Sequence, residues 1–493
     1  MSSPSGHSPT SGTIYALTST TITDAPEPFD ASALSDVILR SSDSVDFFAL
    51  QSLLRVASPV FYDLFSFVTD PMEEHSKNGL PVVAVSEDSE TLLCLLSFIY
   101  PHTNEPRLAR ACLFLKTCRA ARKYAMEAIE SKLRAVLKHV ELHGPDTDVA
   151  RHFLRYAIAA QFGWRAEATR AALYTLSTPW SEMPYNYELR NISGADFFDY
   201  LDLRYSQECK ILLPTEQSPS TAAAMDTDIE KPSIDAEKPF DSSVKADVIL
   251  RSTDRIDFYV LRSLLGFVTP VFDSIDRTSQ KNGLPVLDLG EDSSTLRHLL
   301  SLIHPCVESH IDDIDTFVQV ARAALKHGMI VVGERLRQQL DASRHIVDDP
   351  IRTLWVAIAF GWGQVAKKAA MQALAQPAVI VLDKELWLVT GADVYWFFKY
   401  KVACGDAACQ AVLKDELFAS AMTRWDYKAV QRIIERLKSC PRGTSIIKAC
   451  KYDIQGTSKQ FHFELMKKRD KFVAAVEDAI SKVCFQHVRQ SLS

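Results

Sequence analysis

Asp36-Val37-Ile38-Leu39-Arg40-Ser41 returns 211 residues later as Asp247-Val248-Ile249-Leu250-Arg251-Ser252. Around it, Pro28-Phe29-Asp30 returns as Pro239-Phe240-Asp241, Ser52-Leu53-Leu54 as Ser263-Leu264-Leu265, and Pro59-Val60-Phe61 as Pro270-Val271-Phe272. Over 29–61, 19 of 33 positions are identical at one constant offset. A period this long means two copies of a whole domain, not a solenoid of short repeats. Farther on, Asn78-Gly79-Leu80-Pro81-Val82 matches Asn282-Gly283-Leu284-Pro285-Val286 at an offset of 204, so the first copy carries seven extra residues between Phe61 and Lys77. Phe162-Gly163-Trp164 and Gly194-Ala195-Asp196 reappear as Phe360-Gly361-Trp362 and Gly391-Ala392-Asp393. Loop insertions in a duplicated fold produce such a drift of offset.

Each copy reads the same way locally. Val37 and Leu39 alternate with Ile38 and Arg40, Ser42-Asp43-Ser44 supplies turn residues, and Val45, Phe47 and Ala49 alternate again, which predicts a β-hairpin. Ser58-Pro59 predicts an N-cap followed by proline at the first helical position. Leu80–Val85 reads as a short strand, and Asp88–Ile99 as a helix with Leu92, Leu95, Leu96 and Ile99 on one face, ended before Pro101. Both copies then read as helical over 113–137 and 316–340, continuing as a bundle through Trp164 or Trp362. The fold class is therefore α+β, a small mixed α/β domain followed by an all-helical region, twice. The expected division is a disordered Ser/Thr-rich tail over 1–27, a mixed domain over 28–140 and a helical extension over 141–213. A flexible linker over 214–239, a second mixed domain over 240–340 and a second helical extension over 341–493 follow.

The net charge of −7 argues against a nucleic-acid binder, which carries a basic face. No uninterrupted apolar run approaches the ~18–20 residues that span a bilayer. The ten cysteines have irregular spacings with no Cys-x-x-Cys, which suggests reduced thiols and an intracellular protein, cytoplasmic or nuclear. There is no Gly-rich phosphate loop, no Gly-x-Ser-x-Gly and no paired-carboxylate motif with supporting context, so no catalytic residue and no cofactor is expected.

The motif residues Asp36-Val37-x-Leu39, Phe47/Phe48, Leu54, Ser58-Pro59-Val60-Phe61 and Leu95-Leu96-x-x-Ile99-Tyr100 resemble the BTB/POZ domain. The second copy keeps them as Asp247-Val248-x-Leu250, Phe258/Tyr259, Leu265, Thr269-Pro270-Val271-Phe272 and Leu299-Leu300-x-x-Ile303-His304. Asn-Gly-Leu-Pro-Val followed by Glu-Asp-Ser looks like the variant common in fungal proteins, and the stretch Tyr400–Ala408 is similar to a segment found there. Leu50 and Leu261 stand where many members place a His. The resemblance implies protein–protein association without catalysis, through dimerisation or recruitment of cullin-type ubiquitin ligase scaffolds or corepressors.

Two candidate partner-binding sites follow from the resemblance. Ligase adaptors of the family tend to carry a hydrophobic-x-acidic triplet after the third helix, matched here by Met72-Glu73-Glu74; the alternative is a solvated acidic loop. Transcription-factor members look to have an acidic and a basic residue facing each other, matched by Asp247 and Arg262; the first copy has Asp36 and Gln51. The alternative there is a local surface ion pair, worth at most about 1 kcal/mol. His139 and His143 lie four apart but abut Gly144-Pro145 and lack a third ligand, so no metal site is expected. Lys467-Lys468-Arg469-Asp470-Lys471 reads as a solvated helical face rather than an import signal, and Trp164, Trp362 and Tyr395–Phe398 read as bundle core.

Domains of this family usually pair across a symmetric interface. A flexible linker of about 26 residues reaches roughly 25–30 Å and gives an effective concentration on the order of millimolar. The expected protein is a non-enzymatic interaction protein whose two BTB-like modules pair within one chain. The alternative is a substrate adaptor of a cullin-type ubiquitin ligase. Partners are proteins, with no nucleic acid and no membrane.

Overall fold

Short strands rich in Val, Ile and Phe open each copy, and each set closes into one five-stranded sheet. The computed structural model describes residues 22–67, 76–100, 106, 108–140, 142, 147–206, 233–266, 268–269, 279–304, 309–377, 384–422, 426–452 and 459–483. Residues 1–21 of the expected tail and 207–232, which include most of the expected linker, lie outside them. The chain divides into two compact units, 1–175 and 176–493. That division falls inside the stretch 141–213.

In the first unit, β1 (Thr23–Asp24), β2 (Val37–Arg40), β3 (Val45–Ala49), β4 (Ser76–Lys77) and β5 (Leu80–Ala84) form a sheet ordered β1-β3-β2-β5-β4. The expected β2–β3 hairpin pairs Val37 with Ala49 and Leu39 with Phe47, while β5 joins β2 in parallel. Parallel neighbours need a crossover, which α1 (Gln51–Ala57) and α2 (Pro59–Phe67) provide. The alternation read for β2 does not translate into alternating burial: Val37, Ile38 and Leu39 are all fully buried. A central strand flanked on both edges and covered on both faces has no solvent side. β4 escaped the reading, although its signal was present. Asn78 and Gly79 both have positive φ, +55° and +76°, the conformation of a two-residue hairpin turn that favours Asn-Gly.

A buried ion cluster pins these strands together. Asp46, wholly inaccessible, accepts a two-pronged bond from Arg40 (Nε 2.7 Å, Nη2 3.0 Å) and another from Lys77 Nζ at 2.7 Å. Lys77 also reaches Asp24 on β1 at 2.6 Å. Burial pushes the Asp46 carboxyl up, but the bonds from Arg40 and Lys77 outweigh it and hold it below the usual carboxylate range.

The helical part starts with α3 (Ser89–Ile99), capped by the Asp88 carboxylate, which accepts from the Thr91 N–H at 2.9 Å. Its C-terminal Tyr100 hydroxyl accepts from Leu50 N–H at 2.8 Å and its ring packs edge-on against Phe29. The Ser58 hydroxyl accepts from Phe61 N–H and donates to Tyr124 O at 2.6 Å, so one N-cap ties α2 to the residue that ends the helix over Ala111–Lys123. The stretch 113–137 is not one helix. It is α4 (Ala111–Lys123) and α5 (Glu127–Val136), separated by Ala125 at φ +51°. Met126 N–H returns to Ala121 O and Ala125 N–H to Arg122 O, a Schellman ending. Apolar spacing continues across the break, which hides it from a periodicity reading. α6 (Asp148–Gln161) and α7 (Arg165–Leu173) are joined the same way through Gly163 at φ +67°.

The second unit begins with the last helix of the first copy, α8 (Gly194–Ser206). Then β6 (Ile234–Asp235), β7 (Val248–Arg251), β8 (Ile256–Val260), β9 (Ser279–Lys281) and β10 (Leu284–Asp288) repeat the sheet in the order β6-β8-β7-β10-β9, with α9 (Arg262–Gly266) after β8. The ion cluster recurs as Arg251, Asp257, Lys281 and Asp235. β1 and β6 lie within the stretches expected as tail and linker; two-residue strands are too short for an alternation pattern. α10 (Ser293–Ile303), α11 (Ile314–Lys326) and α12 (Ile330–Ala342) follow, the last two separated by Gly328 at φ +64°, where the first copy has Ala125. Thr269 donates to His327 O at 2.6 Å, as Ser58 does to Tyr124. α13 (His345–Asp348), α14 (Pro350–Ala359), α15 (Gly363–Ala373) and the 23-residue α16 (Gly391–Leu413) complete the repeated part. The extension adds α17 (Glu416–Met422), α18 (Tyr427–Ser439), α19 (Gly443–Tyr452), α20 (Lys459–Lys467) and α21 (Arg469–Ser481).

Candidate interaction surfaces

The repeated Gly-Ala-Asp motif is a point of contact between the two copies. Both instances sit at the start of a helix, preceded by Ser193 or Thr390 as N-cap. Thr390 and Asp393 form a capping box, and Ser193 with Asp196 makes the same reciprocal bonds. The two caps lie side by side in an antiparallel bridge, Ser193 against Thr390. Gly194 N–H donates to Val389 O at 2.7 Å and Gly391 N–H to Ile192 O at 2.9 Å. Ile192 is to the first copy what Val389 is to the second, so each copy gives and receives the same bond. That reciprocity defines an isologous contact, here between halves of one chain.

Glycine is required because the backbones approach so closely. A Cβ on Gly194 would stand 2.8 Å from Leu386 O, and one on Gly391 2.8 Å from Ile192 Cγ1 and 3.1 Å from Leu189 O. Around this contact Trp180 of the first copy packs on Tyr395 and Phe398 of α16, with ring centroids 5.8 and 5.7 Å apart. The Tyr395 hydroxyl donates to Met183 O at 2.7 Å, and Lys399 Nζ reaches the carbonyls of Trp180, Ser181 and Met183 at 3.0–3.1 Å. Tyr395, Phe397 and Phe398 are buried, as bundle core should be, but part of this core is supplied by the other copy.

A second surface lies on α1 and α2 of the first unit. Val56 is 89% exposed, and Val60, Tyr62 and Leu64 are exposed beside it. Arg55 sits among them, its guanidinium 5.7 Å from the Tyr62 ring centroid and donating to Phe65 O. Val60 and Leu64 are four apart and so share one side of α2, and adjacent exposed apolar side chains mark an interaction site more than singly scattered ones do.

Met72 and Glu74 lie outside the described residues, as does His143. Asp247 and Arg262 do come together, but through the backbone: the Asp247 carboxylate accepts from Arg262 N–H at 2.5 Å, at the start of α9. Asp36 does the same for Gln51 N–H at 2.6 Å. What is particular to the second copy is thus the Arg262 side chain, not the aspartate. Among the described residues no cluster of three or more His, Cys, Asp or Glu could hold a metal, and no helix is long and apolar enough to cross a membrane. In the basic run, Lys468 and Lys471 bind Asp415 at 3.2 and 2.8 Å. In the Tyr400–Ala408 stretch, Lys401 is buried in α16 with its ammonium on Gln376 O at 2.7 Å, and burial pushes it down to about 8. Gly405 lets α18 come close, with Lys438 Cα 3.2 Å from where a Cβ would be.

No curated protein matches the chain. Strands β2 to β5, the crossover helices and α3 to α5 of the first copy lie within the stretch, residues 26–141, that matches the family model of the BTB/POZ domain.

Proposed function

We propose that this is a non-enzymatic protein–protein interaction protein with two BTB-like modules, over 28–140 and 240–340, held by one chain as an internal pseudo-dimer. BTB/POZ domains are protein–protein interaction modules. The second module is supported by a sheet with the same strand order, the same ion cluster and the same Ser/Thr cap. The observation that supports the pairing is the reciprocal Gly194–Val389 and Gly391–Ile192 contact, which joins the helical extensions of the two copies; pairing of the modules themselves is the proposal. The setting we propose is intracellular, cytoplasmic or nuclear, in keeping with the buried free thiols of Cys94, Cys118, Cys404 and Cys409. Light scattering on the full chain across a tenfold concentration range tests the pairing. A constant mass near 55.2 kDa is expected; a concentration-dependent dimer rules against internal pairing.

A second reading, a substrate adaptor for a cullin-type scaffold, draws support from the exposed apolar face of α1 and α2, which leads directly into the segment holding Met72 and Glu74. On this reading Met72→Ala with Glu74→Arg abolishes scaffold binding and leaves the fold intact; binding that persists removes the assignment. Asp247 with Arg262 is the corresponding proposal for the second module, and Arg262→Ala tests it by loss of a captured partner.

A further inference from the structure

A cavity of about 110 Å³ opens in the first unit where the end of α5 meets α6 and α7. Its chemistry is unusually cationic for an acidic protein. Lys138, Arg155 and Arg170 line it together with His152 and Tyr174, whose rings stack 4.1 Å apart at 12°. The one carboxylate, Glu167, is already engaged by Arg134 outside the lining at 2.8 Å, with Lys138 at 3.7 Å. Arg155 is fixed by its Nη2 bond to Val140 O at 2.7 Å, yet its Nε is buried with no hydrogen-bond partner among the described residues. A buried guanidinium N–H without an acceptor is costly, and it leaves the Arg155 charge incompletely satisfied beside the cavity. Burial, then the neighbouring Arg155, hold His152 below its ordinary value, in keeping with a positive local field.

The duplication supplies an internal control. At the offset of 198 set by Phe162-Gly163-Trp164, the second copy has Pro350 for His152, Thr353 for Arg155, Val365 for Glu167 and Gln372 for Tyr174. Lys368 stands for Arg170 at that offset, and at the offset of 203 set by Met126 and Met329 Asp341 stands for Lys138; these two neutralise each other at 2.6 Å. The same helical frame therefore forms without the cationic lining, so packing does not require it.

We propose that this cavity binds a phosphate monoester group, presented by a phosphorylated serine or threonine of a protein partner. Three lining cations, of which Arg155 is held on the Val140 carbonyl, against one engaged carboxylate suit a group carrying about −1.5 to −2 charges, and arginine forks match tetrahedral oxyanions. The choice of a protein source rests on the interaction reading above; binding of the anion does not.

The test is calorimetric titration of the full chain at fixed ionic strength with inorganic phosphate and with a phosphoserine peptide and its unphosphorylated twin. Saturable binding of both phosphorylated probes is expected, tighter for the peptide, with none for the twin. Lys138→Ala with Arg170→Gln, both exposed and not needed for packing, should weaken it at least about tenfold, the scale of charge-assisted bonds. The unfolding midpoint and the chain mass should not move. Absence of saturable binding up to about 10 mM, near the lower limit of useful affinity, or equal binding by the variant, overturns the site. Equal binding of inorganic phosphate and peptide overturns the protein source. A change in mass with binding intact refutes the pairing instead.

Discussion

Gly391→Ala, compared with Gly333→Ala, gives the sharpest stability test. Both glycines lie in helices, and helix propensity alone says that alanine should gain up to about 1 kcal/mol in a helix interior. At Gly333, inside α12, nothing lies within 4 Å of an added Cβ, so the gain of roughly 0.5–1 kcal/mol should appear. At Gly391 the methyl would stand 2.8 Å from Ile192 Cγ1, 3.0 Å from its Cδ1 and 3.1 Å from Leu189 O. Ile192 and Leu189 are themselves buried, and Ile192 O is the acceptor of the Gly391 N–H, so relief means sliding one strand of the bridge off the other. Overpacking of this kind costs about 1–3 kcal/mol. The two substitutions should therefore move stability in opposite directions, by about 1.5–4 kcal/mol in total. The assay is urea unfolding with hydrogen exchange read locally over 190–200 and 386–398, because two compact units need not unfold together. Gly391→Ala should speed exchange in both peptides at once, since one contact protects both. If it matches or exceeds wild-type stability, or if only the peptide carrying it responds, the two copies do not depend on this contact.

Asp46→Ala should cost about 1–3 kcal/mol, because it leaves the half-buried Arg40 without its carboxylate and Lys77 with Asp24 alone; a urea midpoint for the first unit within error of wild type would refute this. The folded carboxyl lies below its unfolded value, so the cluster's contribution is full above pH ~4 and fades as pH falls through the folded pKa. Glu291, held down to about 2 chiefly by the His327 bond, against burial and with help from Lys326, should behave alike. Glu291→Gln ought to flatten the acid limb of the second unit's stability curve, and an unchanged limb would count against it. Ala125→Gly should stabilise the first unit by roughly 0.5–1 kcal/mol and Gly163→Ala destabilise the same unit by a similar amount, as both positions are left-handed. Calorimetric unfolding shifts of the opposite sign would refute the strain argument.

The repeat in the amino-acid sequence was enough to determine that one fold pattern occurs twice, that it is α+β, and where the β2–β3 hairpin, the Ser58 cap and α3 begin. These are local matters: a Ser-Pro cap or an alternating run acts within a few residues, and the Asn78-Gly79 turn, equally local, was there to be read. The helix breaks at Ala125 and Gly328 were only half legible, since glycine marks the left-handed position in one copy and alanine hides it in the other. The ion cluster was legible only as identities at Arg40, Asp46 and Lys77, because three strands must assemble before those charges meet. Tertiary structure alone decided that Gly-Ala-Asp is a contact between copies and that the aromatics of α16 meet Trp180. It alone gathered Lys138, His152, Arg155 and Arg170 around one cavity. A residue pattern specifies which groups a helix carries. Which groups face one another across 17 or 197 residues depends on packing that no local spacing encodes.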